Sequence, residues 1–563
     1  MGIHMNKLSA AGRPAVPALA LIVAGVLGGA PAQAATEQQS LEELRNTVVN
    51  LLQALVDQGV MTRERAQTLV KRAQDKAQAD AAATAATAEA EKDAVHVAYV
   101  PEPVKEEIRK QVAADLRQDV AAQVLARAQS EKWGVPGALP AWVSKLRWYG
   151  DLRVRGQGDI YGRPAPVNAL GQVVGPGNVQ GVYLDFNAIN SKGGTGKAGA
   201  AQFLNVTEDR YRLRVRARVG VEAMLGGGFA AGARITTGTL VDPGTENQTL
   251  GGSYGGRYGV GLDQAYVRWD SSRDADTTRW SVQAGRTLNP YLSTDLLFHR
   301  DLTFEGVSSS FRLAYGDSAL PSETYVTLGA HPLQEVALST KDKWLVAGQL
   351  GTTLQWGDGW RLRVAAAYYD YLNVRGRRNL PDSTLLDYTA PGYLQQGNTV
   401  FDIRNDTDVT TNLFALAGNY RLADLIVALD VPLPHGLQFS LTGDAVRNVG
   451  WKSADVRAVS GIDIEARTKG YQLEAAFGDP KVDGPWRWRT YVTYRYLQRD
   501  AVLDAFTDTD FRGGGTDVKG FTVGGDLGVS SNAWLRLRYL SGEQIDGAPF
   551  SLDTVQLDLN AQF

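Results

Sequence analysis

Tyr211-Arg212-Leu213-Arg214-Val215-Arg216-Ala217-Arg218-Val219 sets a large or apolar residue against an arginine at every second position. Successive side chains of a strand point to opposite faces. Such a strand has one apolar face and one face of guanidiniums that must meet water or counter-charge. The pattern returns in Trp360-Arg361-Leu362-Arg363-Val364, Trp486-Arg487-Trp488-Arg489 and Leu535-Arg536-Leu537-Arg538-Tyr539. At the C-terminus Val555, Leu557, Leu559, Ala561 and Phe563 face one way, and Gln556, Asp558, Asn560 and Gln562 the other. One alternating strand also suits a half-buried soluble sheet. Many long ones predict an all-β antiparallel transmembrane barrel with a polar lumen.

The connections between these segments alternate in length. Short turns are expected at 225–228, 271–277, 316–322, 357–359, 434–436, 479–485 and 531–533. Longer loops are expected at 161–206, 241–258, 288–300, 332–342, 374–418, 449–467, 501–516 and 542–549. Seven turns and eight loops give about 16 strands, with a range of 14–18, over residues 145–563. The count turns on 405–432, where 413–420 also reads as a strand of its own. Trp148, Trp269, Trp280, Trp356, Trp360, Trp486, Trp488 and Trp534 collect beside the short turns. An aromatic girdle at one membrane interface requires such clustering, which a general strand preference of aromatics does not predict.

The chain has 563 residues and no cysteine, with 58 Lys+Arg against 61 Asp+Glu. The absence of cysteine excludes disulfides and thiolate metal sites. The scattered histidines (His4, His96, His299, His331, His435) form no HxxxH pair. No metal or other cofactor is expected. Near-zero net charge gives no reason to expect nucleic acid as a partner. Gly193-Gly194-Thr195-Gly196-Lys197-Ala198 mimics a phosphate loop, but Ser191 stands at the first Gly position and Ala198 at the Ser/Thr position. No GxSxG elbow occurs. The chain is expected not to be an enzyme.

Ahead of the barrel, Lys7 and Arg13 precede an apolar run, and Ala32-Gln33-Ala34 supplies small residues, so 1–34 reads as a secretory signal peptide. Residues 35–76 place Leu41, Leu44, Val48, Leu51, Leu52 and Leu55 three or four apart. This predicts a helical hairpin or a self-associating coiled coil. Residues 77–103 read as a linker, and 104–144 as a helix and connector to the barrel.

Tyr99-Val100-Pro101-Glu102, Leu139-Pro140-Ala141-Trp142, Gly150-Asp151-Leu152-Arg153-Val154-Arg155 and Gly285-Arg286 with Asn289-Pro290 and Ser293-Thr294 resemble the "putative porin" family of Gram-negative outer membranes. The resemblance covers nearly the whole mature chain. It implies a porin barrel in the outer membrane behind a periplasmic helical segment, and assigns no site residues.

The function expected is a water-filled channel for passive diffusion of small hydrophilic solutes or ions. Arg153 and Arg155; Arg212, Arg214, Arg216 and Arg218; Arg361 and Arg363; Arg487 and Arg489; and Arg536 and Arg538 are expected to line the pore. Arginine stays charged and offers planar donors to anions, so anion preference follows if these groups are free. The competing reading pairs them with inward acids: Glu222, Asp263, Asp444, Glu474, Asp526 and Asp558. The third long loop, 288–300, is weighed as an infolded constriction bringing Asp295 inside, with Asp301 and Glu305 next to it. The alternatives are a surface loop or narrowing by 161–206. Phe563 resembles the terminal signal read by the barrel assembly machinery. Outer-membrane lipid and further copies of the chain, a trimer by porin analogy, complete the expected partners. The alternative function is structural, the barrel anchoring a periplasmic coiled coil to peptidoglycan or a partner protein.

Overall fold

The alternating segments become strands: β1 (Leu146–Tyr161), β2 (Arg210–Gly226), β3 (Phe229–Thr237), β4 (Gln248–Thr249), β5 (Val260–Asp270), β6 (Thr278–Leu288), β7 (Thr303–Tyr315), β8 (Ser322–Gln334), β9 (Lys343–Trp356) and β10 (Trp360–Leu372). They continue as β11 (Val400–Asp402), β12 (Phe414–Leu416), β13 (Tyr420–Pro432), β14 (Gln438–Asn448), β15 (Lys469–Gly478), β16 (Trp488–Leu497), β17 (Val518–Ser530), β18 (Ala533–Gln544) and β19 (Ser551–Gln562). The computed structural model describes residue 71 and residues 145–563 apart from 253, 272–277, 317–320 and 338. The chain divides into two units, Met1–Val120 and Ala121–Phe563. Of the first only Lys71, helical, is described. The expected signal peptide, hairpin, linker and connecting helix therefore lie outside the described residues.

Two-residue β4 flanks β2, and β11 pairs with β12 as a separate hairpin. Part of the ambiguous 413–420 stretch is thus a strand, but not one of the barrel wall. The other 16 strands pair antiparallel with their neighbours. β19 returns to β1 in register from Asp151↔Gln562 to Tyr161↔Leu552, so the sheet closes and exposes no edge. Among the described residues no helix is long and apolar enough to cross a membrane. The strands, mostly 10–17 residues long, reach the length a tilted transmembrane strand needs.

Burial separates the faces. On β1, Leu152 and Val154 are 45% and 41% exposed while Arg153 and Arg155 are 6% and 0% exposed. The outer face is apolar and the charges turn inward. Near the short-turn rim Trp269 meets Trp280 edge-on at 5.4 Å, and Trp356 stacks on Trp360 at 6.1 Å. On the inner wall near the same rim, Tyr149, Tyr266, Tyr325 and Tyr491 each stand opposite a glycine: Gly220, Gly232, Gly351 and Gly524. Each ring fills the place a Cβ would take. Missing side-chain volume on one strand is supplied by its neighbour.

The third long connection is aimed inward by a bend in its hairpin. Gly285 and Gly306 face one another across β6 and β7, with φ of 116° and 113°. Pairing of β5 with β6 ends at Ala265↔Arg286, and pairing of β7 with β8 starts at Val307↔Ala330. Beyond the glycines the hairpin leaves both neighbouring ladders and carries residues 289–302 inside. His331 Nδ1 bonds the Glu305 carbonyl oxygen at 2.8 Å, standing in for a lost ladder bond.

Candidate functional site: the lumen constriction

The infolded connection 289–302 crosses the lumen. Gln349 on β9 holds both the N–H and the carbonyl oxygen of Leu292, each at 2.8 Å. Thr294 Oγ1 donates to Asp444 Oδ2 on β14 at 2.5 Å. The His299 N–H donates to the Phe506 carbonyl oxygen at 2.8 Å. Asp301 meets Arg216 on β2 at 2.8 Å. Leu296, Leu297 and Phe298 between these anchors, and Leu302 just beyond the last, pack into one apolar cluster with Tyr369, Tyr420 and Leu503. Apolar burial holds the middle of the loop and charge its far end. Of the paths weighed for this loop, infolding is the one observed. The first long connection carries α1 (Phe186–Lys192), whose Asn190 bonds both polar backbone groups of Phe414 in the connection 373–419.

The arginines are predominantly paired. Arg155, fully buried, meets Asp558 at 2.7 Å and Asp510 at 2.8 Å. Arg538 shares Asp510 at 2.5 Å. Arg153 donates to Asn247 at 2.6 Å and lies 3.9 Å from Asp301. Arg216 and Arg218 clasp Asp151 at 2.7 and 2.6 Å. Arg218 also meets Glu246 at 2.9 Å and Asp301 at 3.2 Å. Arg212 pairs with Asp159. Arg363 and Arg361 lie 3.3 and 3.8 Å from Asp430, and Arg536 meets Asp526 at 2.5 Å. Arg489 faces Asp526 across β16 and β17. Only Arg214 of the long ladder has neutral partners alone, Gln157 at 3.2 Å with Thr245 and Asn247 at 3.5 Å. Of the acids named as alternative partners, Asp263 pairs with Arg234 at 2.5 Å, and Glu222 lies 3.5 Å from Arg268. Glu474 instead accepts from Thr493, and Asp444 from Thr294.

One expected lining residue does not line the lumen. Arg487 precedes β16 and sits in the turn before it, half-exposed, 3.1 Å from Asp479. The turn runs two residues longer than the alternation suggests because Asp479 Oδ2 accepts the Trp488 N–H and holds the turn together. Glu305, on the infolded side of the bend at Gly306, lies 3.0 Å from Arg286 and lines a cavity with Asp301 and Leu302. Asp295 pairs with Arg300 on the infolded loop. Phe563 closes the barrel: its N–H and carbonyl oxygen pair with Gly150 at 3.0 and 3.1 Å, and its ring lies over that glycine.

Burial disfavours charge on Asp301, but the guanidiniums of Arg216, Arg218 and Arg153 outweigh it and hold the carboxyl well below its usual range. Asp510 behaves likewise, burial being overcome by Arg155 and Arg538. Asp504 in the connection 498–517 has no such partner. Burial pushes it up to about 7, against the N–H groups of Ala505 and Gln395. The folded form of this acid holds its proton more tightly than the unfolded form. Its favourable contribution is present below the ordinary carboxylate pKa and is lost as pH rises through about 7. Asp504→Asn should therefore raise the thermal midpoint at pH 8 and change it little at pH 3. An equal shift at both pH values would contradict this assignment.

His299, Asp508 and Asp510 lie close enough to suggest metal ligands. Asp510 is already held by two arginines. His299 Nδ1 accepts the Asp301 N–H at 3.1 Å, which assigns the ring proton to Nε2, toward Asp508. The trio fits an ion-pair knot better than a metal centre.

The residues that sequence reading overlooked are acids. Asp508 and Asp510 enter the lumen on the connection 498–517, and Asp151 and Glu246 complete the Arg216–Arg218 cluster. The available signal was Asp504-Ala505-Phe506-Thr507-Asp508-Thr509-Asp510-Phe511, which sets three acids beside two phenylalanines.

A closed barrel with an apolar exterior, a charged lumen and an infolded third loop is a porin of the outer membrane. The chain belongs to the family described as "Putative porin", whose sequence model matches residues 45–563. No curated protein matches the chain. Solved structures similar to it include the high-pH structure of Pseudomonas putida OprB, with 12% identity and a TM-score of 0.42, covering 77% of this chain and 97% of that one. A loop L8 deletion mutant of OmpT, an outer membrane protein of Vibrio cholerae, has 11% identity and a TM-score of 0.35, covering 74% and 99%. The low-pH structure of P. putida OprB has 9% identity and a TM-score of 0.36, covering 77% and 96%.

Proposed function

We propose that this porin passes small hydrophilic solutes by passive diffusion, with the infolded loop and its charged contacts as the selective constriction. The observation that carries the reading is the placement of Asp301 between the loop and the arginines of β1 and β2, inside a barrel of this family. Short turns face the periplasm and long loops the exterior, as outer-membrane barrels arrange them. Fixed charges of both signs beside the constriction orient dipolar solutes. Because most inward arginines are matched by carboxylates, anion preference is modest and rests on Arg214 and on Arg512, whose partners are neutral. We take the protein to be a channel and not an enzyme. His331 is engaged at both ring nitrogens by Tyr291 and Glu305, which leaves it no free base position.

Planar-bilayer recording of the full chain checks this. Stepwise ion currents are expected, with a small anion-leaning reversal potential in a salt gradient that shrinks as ionic strength rises. An absence of steps sinks the channel reading, and a cation-leaning potential sinks the anion preference.

A further inference from the structure

A cavity of about 270 Å³ lies toward the long-loop side of the lumen, between β1, β2 and the connections 373–419 and 498–517. Arg212, Arg214 and Arg512 stand in its wall together with Gln157, Tyr393 and Gln396. Its charge is not balanced. Asp159 in the same wall is taken by Arg212, and Asp510 by Arg155 and Arg538. Asp242 accepts the Gly244 N–H at 2.8 Å.

Two guanidiniums are left without a carboxylate. Arg214 makes only long bonds, of 3.2–3.5 Å, to neutral oxygens. Arg512 is 1% exposed; it donates to Gln544 Oε1 at 2.6 Å and to the Thr516 carbonyl oxygen at 2.7 Å, with its guanidinium 4.9 Å from the Phe550 ring centre. Buried positive charge facing a cavity is stabilised by an anion, and a planar guanidinium matches a carboxylate. Gln396 in the same wall donates through Nε2 to the carbonyl oxygens of Arg512 and Gly514, both at 3.1 Å.

We propose that this cavity binds a small carboxylate, held by Arg214 with the charge of Arg512 behind it. The cavity lies just below the usual pocket range of about 300–1,000 Å³, so it selects small acids. The site deepens the porin reading by naming a solute class, and depends on it only for access.

Equilibrium dialysis of radiolabelled gluconate against the full chain in detergent micelles, at low salt, tests the site without requiring conduction. Saturable binding is expected, displaced by unlabelled gluconate but not by sorbitol, its neutral analogue. Arg214→Gln should weaken binding about tenfold, the scale of one charge-assisted bond. Arg214→Lys, which keeps the charge and loses the planar fork, should weaken it less. No saturable binding by the unaltered chain, displacement by sorbitol as by gluconate, or unchanged affinity in both variants each overturns the site. Bilayer currents separate the two readings: binding without current leaves the site and removes the channel, while current without binding does the reverse.

Discussion

Asp301→Ala is expected to release the far end of the infolded loop and destabilise the barrel by about 3–5 kcal/mol, the cost of removing one member of a buried charge cluster. Arg216 meets this carboxylate at 2.8 Å, Arg218 at 3.2 Å and Arg153 at 3.9 Å. All three are largely buried, so none recovers full hydration when its counter-charge is lost. Asp151 still neutralises Arg216 and Arg218 in part, and Arg153 keeps its bond to Asn247. Repulsion among the arginines then favours outward movement of the loop end. The middle of the loop, with Leu296, Leu297 and Phe298 in the apolar cluster, should stay in place. Single-channel conductance should rise and the thermal midpoint fall. Asp301→Asn, which keeps an acceptor but not the charge, should lie between. Unchanged conductance and midpoint in Asp301→Ala would show that the ionic latch does not hold the loop.

Gly306→Val should impair assembly on the scale of Asp301→Ala. At φ 113° a β-branched residue is strained by about 1–3 kcal/mol. Its Cβ would also run into the Ala330 carbonyl oxygen and approach Pro332 Cδ to 2.9 Å. Backbone on the adjoining strand cannot yield as a flexible side chain can, so overpacking of about 1–3 kcal/mol is added. Gly285 opposite has the same φ sign and meets the Ala265 carbonyl oxygen in the same way, so Gly285→Val should fail likewise. Gly156 on β1 has nothing within 4 Å of a built Cβ, and Gly156→Ala is the matched control. The folded fraction can be read from heat-modifiable migration on gels. Wild-type levels of folded Gly306→Val would refute the hairpin bend as a fixed requirement.

The wall was legible in the sequence because its signal is local. Arg153 and Arg155 are inward, as alternation with Leu152 and Val154 requires. The seven turns and eight loops fall within a few residues of their expected positions. Parity failed where an element ended: Arg487 belongs to a turn. The constriction was half legible. Order of connections makes loop 288–300 one candidate beside 161–206, but the inward path depends on Gly285 and Gly306 standing opposite each other, which no local pattern reveals.

The sequence by itself determined a closed antiparallel barrel of about this strand number, its lipid-facing and lumen-facing residues, and the rim bearing the tryptophans. Period-two alternation and turn chemistry act within a few residues, so they can be read along the chain. Only the tertiary structure decided what each charge meets. Arg155 takes Asp510, 355 residues away, because closure of β19 on β1 and the inward course of the connection 498–517 bring them together. Alternation fixes which face a guanidinium occupies. Whether it stands free for a solute or is neutralised by a carboxylate depends on the paths of loops distant in sequence, and that separates Arg214 from its neighbours Arg212 and Arg216.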